Sequence, residues 1–194
     1  MIPKLMQSVA LPVAEAKASR RQFLLGAVAA GTGIAVGYRI LAASPAAAGE
    51  KVADETGAHS FSPYVVIDGD GKVTVLSSQF EMGQGSYNGL ATLVAEELDA
   101  DWSTIDVRGA AGNPKVYGNL AFGGAFQGTG GSTSMVSSWD RYRKAGAAAR
   151  AMLVAAAASE WGVKPGEIAV ENGVLKHPSG KSGGFGMFAA KAAA

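Results

Sequence analysis

The order of apolar and polar residues predicts two β-hairpins. Apolar-rich runs at residues 61–67 and 72–77 flank Asp68-Gly69-Asp70-Gly71. Asp-Gly steps accept the positive φ that a tight turn requires, so this stretch predicts a hairpin. Asn172-Gly173 interrupts the apolar run 168–175 and predicts a second hairpin for the same reason.

Two longer segments have helical periodicity. A helix is predicted directly after Gly85, with Ser86 as its N-cap. Its apolar face consists of Tyr87, Leu90, Leu93, Val94 and Leu98. The longest helix is predicted to run from Ser132 or Thr133 to about residue 160, because apolar and small residues recur at spacings of three and four. That stripe consists of Met135, Trp139, Tyr142, Gly146, Ala149, Leu153 and Ala156.

The remaining segments complete an α+β domain over residues 61–194, with hairpins packed against two main helices. Residues 49–60 are polar and are predicted as a linker, residues 105–108 as a strand, and residues 185–193 as a helix. Residues 109–131 are rich in glycine and lack periodicity. So long a loop usually either binds something or is covered by another element.

Charge and cysteine content exclude several classes of function. Residues 1–48 carry five basic residues and one acidic residue, whereas the rest carries 12 basic and 15 acidic residues, a net charge of −3. This is not the basic surface of a nucleic-acid-binding protein. The chain has no cysteine, so it cannot itself hold a disulfide or an iron–sulfur cluster. His59 and His177 lack a partner at metal-ligand spacing and are interpreted as surface residues, so no metal site is predicted.

The N-terminus carries a candidate export signal. Ser19-Arg20-Arg21-Gln22-Phe23-Leu24-Leu25 matches the twin-arginine pattern, with Leu25 in place of the usual Lys, and Ala46-Ala47-Ala48 offers a cleavage site. Residues 1–48 are therefore predicted as a signal peptide, with Arg20 and Arg21 as its recognition pair, and the mature protein as periplasmic. A retained membrane anchor is the alternative, although Arg39 interrupts the apolar run before it reaches the ~20 residues of a spanning helix.

Two glycine-rich loops are candidates for binding. Gly83 and Gly85 flank Gln84, and small residues there let a ligand approach the backbone. A plain turn with an exposed glutamine explains the same pattern. Residues 127–134 are rich in glycine, serine and threonine and directly precede the long helix. Free N–H groups and the helix dipole at such an N-terminus favour binding of an anion. A simple helix cap with a flexible lead-in is the alternative.

The two loops, in this order and with the sequence around them, resemble the large molybdopterin-binding subunit of the xanthine dehydrogenase and aldehyde oxidase family. The similar stretches are residues 64–75, 81–85, 95–102, 127–134, 145–153 and 161–163. The resemblance implies a molybdenum-cofactor-binding-domain fold and a hydroxylase that uses water to oxidise an N-heterocycle or an aldehyde. It implies that Gln84, between Gly83 and Gly85, lies beside the metal's oxo ligand. It further implies that Gln127 and residues Gly130, Gly131, Ser132 and Thr133 hold molybdopterin cytosine dinucleotide.

The same resemblance implies partners. Electrons would pass to [2Fe-2S] clusters on a small iron–sulfur subunit, in agreement with the absence of cysteine here. Family members are several times longer, and their catalytic glutamate lies far towards the C-terminus. This sequence also reads Phe185-Gly186-Met187-Phe188 where the family usually has Tyr-Gly-Glu-Leu. No catalytic residue is therefore assigned, and the chain is expected to be the N-terminal part of such a subunit, incomplete at its C-terminus.

Three classes of function remain open at this point. The chain is part of a hydroxylase, or a non-catalytic cofactor- or partner-binding module such as a remnant or one half of a split subunit, or an exported interaction protein. The first class requires a small-molecule substrate, and a split subunit requires a separate C-terminal half. No class involves nucleic acid, and a membrane is involved only if the leader is retained.

Overall fold

The computed structural model describes residues 58–194. The predicted signal peptide, with Arg20 and Arg21, and residues 49–57 of the predicted linker lie outside the described residues. Within the described part, the last two linker residues, His59 and Ser60, already belong to a strand.

A four-stranded sheet forms the first half of the described chain. Its strands are β1 (His59–Ser62), β2 (Val65–Ile67), β3 (Val73–Ser77) and β4 (Ile105–Gly109), in the order β1-β2-β3-β4. The first three pair antiparallel, and β4 pairs parallel to β3. All three residues of β2 are buried, as expected for an inner strand covered on both faces.

The first predicted hairpin is present as β2 and β3. The Asp68 carboxylate accepts hydrogen bonds from the N–H groups of Asp70 and Lys72 at 3.0 and 2.9 Å, and Gly71 adopts a φ of +86°. One detail of the prediction is wrong, because residues 61–67 contain two strands rather than one. The chain turns at Pro63 and Tyr64, where proline has no N–H to donate to a sheet.

Helix α1 (Ser86–Leu98) connects β3 to β4, and helix α3 (Ser134–Trp161) packs across it. Both main helices were predicted. Gly146 of α3 lies so close to α1 that a Cβ atom there would sit 2.6 Å from the Val94 carbonyl oxygen. The glycine therefore sets the distance between the two helices.

The buried face of α3 differs from the predicted stripe at one end. Tyr142, Gly146, Ala149, Leu153 and Ala156 are buried as expected, but the Trp139 side chain is 44% exposed. The Arg143 guanidinium instead lies over the Trp139 ring, and its central carbon is 5.5 Å from the centre of that ring. The buried positions of the first turns are Ser137 and Ser138, which a search for apolar periodicity does not detect.

A second, three-stranded antiparallel sheet lies near the C-terminal end. It consists of β5 (Ala169–Glu171), β6 (Val174–Lys176) and β7 (Ser182–Gly184), and helix α4 (Phe185–Ala193) follows it. Asn172 and Gly173 have φ values of +48° and +79°, so the second hairpin turns as predicted. Strand β7 was not predicted, because Ser-Gly-Gly carries no alternating pattern.

The long glycine-rich segment is not wholly irregular. It contains the short helix α2 (Pro114–Tyr117) and a single 3₁₀ turn (Leu120–Phe122). The α+β class is confirmed. No helix of residues 58–194 is long and apolar enough to cross a membrane.

Candidate functional site

The first glycine loop connects β3 to α1, and its exposed glutamine folds back onto the backbone of the loop. The Gln84 side-chain nitrogen donates to the Phe80 carbonyl oxygen at 2.6 Å and to the Ser86 hydroxyl at 3.2 Å. Its side-chain oxygen accepts a hydrogen bond from the Met82 N–H at 2.6 Å. Gly83 and Gly85 have φ values of +94° and +82°, which explains why glycine occupies both positions.

Glu81 is the central hydrogen-bond acceptor of this loop. One carboxylate oxygen accepts from the N–H groups of Gly83 and Gly85, at 2.7 and 3.0 Å. The other accepts from the Tyr87 N–H at 2.9 Å and from the Ser86 hydroxyl at 3.4 Å. These bonds, the one from Tyr87 most of all, lower the pKa of Glu81. The prediction of Ser86 as the N-cap is therefore wrong, because Ser86 is the first residue of α1 and Glu81 satisfies the N–H groups at that end.

The second glycine loop leads into α3. Gly131 and Ser132 have φ values of +59° and +56°, and a Cβ atom added to Gly130 would meet nothing within 4 Å. Thr133 is the N-cap residue, but its side chain does not cap the helix. Its hydroxyl instead donates to the Gly130 carbonyl oxygen at 2.7 Å. The N-terminus of α3 therefore has no side-chain cap, in contrast to that of α1.

Asn119 is the buried anchor of the second loop. Its side-chain nitrogen donates to the Gly128 carbonyl oxygen at 2.8 Å and to the Thr133 hydroxyl at 2.9 Å. The Gln127 side-chain oxygen accepts from the Asn113 N–H at 3.2 Å and so ties the two ends of the glycine-rich segment together. This side-chain hydrogen bond of Gln127 lies within the glycine-rich segment and does not involve Gln84.

Two residues outside the predicted set join the loops to each other. The Thr129 hydroxyl accepts from the Phe80 N–H at 2.7 Å and donates to the Gln79 side-chain oxygen at 3.1 Å. The same oxygen of Gln79 lies 3.3 Å from the Ser134 hydroxyl, at the start of α3. Gln79 is 2% exposed, whereas Thr129 is half-buried and Phe80 is exposed, so the connection runs from the core to the surface. The structure thus brings the loop of Gln84 together with the loop of Gly130.

Sequence reasoning missed Gln79, Glu81, Asn119 and Thr129 as residues that build these loops. Glu81 had a detectable signal, because an acidic residue shortly before a helix start is a typical N-terminal partner. The other three are polar residues in stretches without periodicity, and only the fold reveals that Gln79 and Asn119 are buried.

No metal-binding cluster accompanies the loops. Residues 58–194 contain no group of three or more His, Asp or Glu side chains that could hold an ion. His177 lies near one carboxylate, with its Nε2 3.7 Å from a Glu167 oxygen, but the two do not form part of a metal-binding group in the described part of the chain. A depression of about 410 Å³ lies towards the C-terminal end of α1, lined by Thr92, Ala95, Glu96, Asp99, Ala100 and Trp102, and none of these belongs to either loop.

The chemistry of the two loops fits a group with one neutral polar part and one anionic part. The N–H groups before α1 already hold a carboxylate, so that loop offers a neutral amide to a ligand. The N-terminus of α3 has no such internal anion, and exposed Gly130, Gly131 and Ser132 leave open space in front of it.

Comparison with known proteins gives a family for this chain. The sequence model of the molybdopterin cofactor-binding domain family matches residues 7–194. The beta subunit of isoquinoline 1-oxidoreductase of Brevundimonas diminuta is 39% identical over 162 residues, which cover 82% of this chain and 20% of the relative. The membrane-bound aldehyde dehydrogenase [pyrroloquinoline-quinone] of Gluconacetobacter polyoxogenes is 32% identical over 182 residues, which cover 91% of this chain and 22% of the relative.

Among solved structures, the quinoline 2-oxidoreductase of Pseudomonas putida 86 aligns with 64% of this chain and 15% of its own, with a TM-score of 0.43 and 21% identity. The chain spans about a fifth of the length of the curated relatives it matches. The match of the family model over nearly the whole sequence is the finding that decides the assignment. The chain belongs to the molybdopterin cofactor-binding domain family.

Proposed function

We propose that this chain supplies two cofactor-contacting loops to the large subunit of a periplasmic molybdenum hydroxylase. The observation that carries the proposal is the hydrogen-bonded connection between the loops, from the Phe80 N–H through Thr129 to Gln79 and Ser134. In a member of a molybdopterin-binding family, this connection fixes a neutral amide and an uncapped helix N-terminus relative to each other. An elongated cofactor with a polar head and a phosphate-bearing tail needs such a pair of contacts.

The proposed cofactor is molybdopterin cytosine dinucleotide, which when bound supplies the two-electron oxidation of a carbon with oxygen from water. Gln84, between Gly83 and Gly85, contacts the polar head. Gly130, Gly131, Ser132 and Thr133 receive the dinucleotide end at the N-terminus of α3, where N–H groups and the helix dipole favour phosphate. Gln127 contributes by holding the second loop closed.

Gln84 can serve a bound group at low cost. Of its two donated hydrogen bonds, the one to the Ser86 hydroxyl is long, at 3.2 Å, whereas the one to Phe80 is 2.6 Å. Exchanging the long bond for a bond to a polar group of the cofactor leaves the amide anchored through Phe80 and Met82. A neutral donor also avoids placing a second charge beside Glu81.

The two loops position a cofactor but do not supply a general base. The Glu81 carboxylate, the acidic group of the first loop, is already committed to four hydrogen bonds. We therefore assign no catalytic residue to the chain and place the base elsewhere in the assembly. The same assembly provides the small iron–sulfur subunit that accepts electrons and a pocket for an N-heterocyclic or aldehyde substrate.

One observation favours a second candidate, a cofactor- or partner-binding module that works as part of a split subunit. Phe80 and Met82, beside Gln84, are 74% and 70% exposed, and Phe122 stacks on the exposed Phe126 at 5.3 Å. Apolar side chains clustered in sequence around a polar site are typical of surfaces that another polypeptide covers. Cofactor retention without turnover would favour this candidate.

Molybdenum content tests the proposal. The chain is produced within its complete assembly in a host that makes the cofactor, and bound molybdenum and released cytidine monophosphate are measured. Gly130→Val should remove most of both, because its side chain would enter the space before α3 without clashing within the fold. Gly166→Val is the matched control, since Gly166 is also exposed and open but lies far along the chain, beyond α3. Wild-type protein without molybdenum, or full retention by Gly130→Val, would refute the proposal.

Export requires a separate test. The proposal of a periplasmic protein depends on Arg20 and Arg21 ahead of Phe23 and Leu24. Changing both arginines to lysine should leave the precursor in the cytoplasm, whereas changing Lys4 and Lys17 to arginine should not affect export. Unimpaired export of the Arg20→Lys/Arg21→Lys variant would remove the periplasmic assignment.

A further inference from the structure

The geometry points to Glu81 as a positioning residue, which acts through Gln84 and excludes anions from the N-terminus of α1. This inference rests on the proposed function for the role of Gln84 but not for the hydrogen bonds that support it. Glu81 does not contact a substrate in this argument. It determines where the amide of Gln84 lies and which kind of ligand group the first loop accepts.

The first step of the argument is the convergence of donors on one carboxylate. The N–H groups of Gly83, Gly85 and Tyr87 all donate to Glu81, at 2.7, 3.0 and 2.9 Å. These are the groups that an external oxyanion would otherwise find at a helix N-terminus. The chain therefore carries its own anion in that position.

The second step is the effect on backbone shape. The two glycines that donate to Glu81 both have positive φ and flank Gln84. A carboxylate that bonds to both glycines holds the intervening peptide units in a single arrangement. The Gln84 side chain then closes onto Phe80 and Met82, the residues on either side of Glu81.

The third step concerns charge. The pKa of Glu81 is lowered by hydrogen bonds from backbone N–H groups and Ser86, without help from a neighbouring cation. The negative charge of Glu81 therefore balances the positive end of the α1 dipole and does not balance the charge of a lysine or arginine. A phosphate or carboxylate ligand would meet like charge there, whereas a neutral polar group would not.

The test uses the cofactor-free 194-residue chain and three variants. Glu81→Ala removes the acceptors, Glu81→Gln keeps one acceptor oxygen without the charge, and Glu96→Gln is the matched control on the exposed face of α1. Nuclear magnetic resonance records the side-chain amide signal of Gln84 and the backbone N–H signals of Gly83, Gly85 and Tyr87. Inorganic phosphate is then titrated in the millimolar range.

Glu81→Ala should shift the Gln84 side-chain signal, and phosphate should shift the three backbone signals in this variant but not in wild type. Glu81→Gln should restore part of the Gln84 signal, and Glu96→Gln should match wild type. An unchanged Gln84 signal in Glu81→Ala, or equal phosphate shifts in wild type, would overturn the inference. If Glu81→Ala does not fold, the Gln84 side-chain signal and the phosphate-induced backbone shifts are measured on Glu81→Gln, and they decide the inference in the same way. Because no molybdenum is present, failure here is separate from failure of the proposed function.

Discussion

The side-chain oxygen of Gln79 lies 3.1 Å from the hydroxyl of Thr129, and this partly buried hydrogen bond connects two loops through residues that are 50 positions apart in sequence. The Thr129 hydroxyl also accepts a hydrogen bond from the Phe80 N–H, so it bonds to one backbone group and one side chain. Without it, the Gln79 oxygen keeps only the long contact to Ser134.

Thr129→Val should therefore destabilise the fold by about 0.5–1.5 kcal/mol, the usual net contribution of a hydrogen bond, because Ser134 remains as a partner of the Gln79 oxygen. Thermal or denaturant unfolding measures the effect. Thr129→Ser keeps the hydroxyl and should lose much less. Thr92→Val is a surface control, because the Thr92 hydroxyl is exposed and bonds only to its own helix. Equal stability of Thr129→Val and Thr92→Val would contradict this account of the connection.

Periodicity and turn chemistry were sufficient to predict the main elements. The Asx-Gly turns located both hairpins, and the recurrence of apolar residues located α1 and α3. Strand β7 was missed because two of its three residues are glycine and it is held in place by pairing with β6. Pairing between distant segments is not encoded in local pattern, so β7 has no signal in its own residues.

The candidate site was predicted less completely than the fold. Gly83, Gln84 and Gly85 were selected by local composition, and the structure explains the two glycines through their positive φ. The residues that hold the loops, Gln79 and Asn119, are polar side chains buried by contacts with segments far away in sequence. The glycine pattern located the loops and the family resemblance implied their roles, but the hydrogen bonds that build them depend on contacts between distant segments.

Gly146 should be intolerant of even a methyl group. A Cβ atom would lie 2.6 Å from the Val94 carbonyl oxygen and 3.1 Å from the Glu97 Cβ, so α1 and α3 would have to separate. Overpacking of this kind costs about 1–3 kcal/mol, whereas alanine gains about 1 kcal/mol of helix propensity over glycine. We expect Gly146→Ala to be destabilised on balance, as measured by denaturant unfolding. Gly112→Ala, at an exposed and open position, should be neutral, and a stabilised Gly146→Ala would show that the helices adjust freely.

Acidification should loosen the first loop. The folded-state pKa of Glu81 lies below its ordinary value of 4.5, so the hydrogen bonds to Gly83, Gly85 and Tyr87 are fully present above that value. Their contribution is lost as the pH falls through the lowered folded-state pKa. The backbone N–H signals of these three residues should titrate together in that range. In Glu81→Gln the titration should be absent, and its persistence would assign it to another group.

The last prediction separates the two loops by their roles in a loaded enzyme and applies to the complete assembly. Gln84→Ala removes the donor that we propose contacts the polar head of the cofactor, at a cost of about 1–3 kcal/mol. If that bond strengthens as charge develops during the reaction, turnover falls by roughly 10–100-fold while molybdenum content changes little. Gly130→Val should show the reverse order, with molybdenum lost first. Gly131 is unsuitable for this comparison, because its φ of +59° would strain a β-branched valine.

The two measurements must be made on the same preparations, since loss of cofactor also lowers turnover. Activity per bound molybdenum is therefore the deciding quantity: it should fall in Gln84→Ala and stay near wild type in Gly130→Val. Gln84→Ala also removes the bonds to Phe80 and Met82, so a loss of both molybdenum and activity would mean that Gln84 acts by holding the loop. Full activity per molybdenum in Gln84→Ala would rule out its contact with the reacting centre.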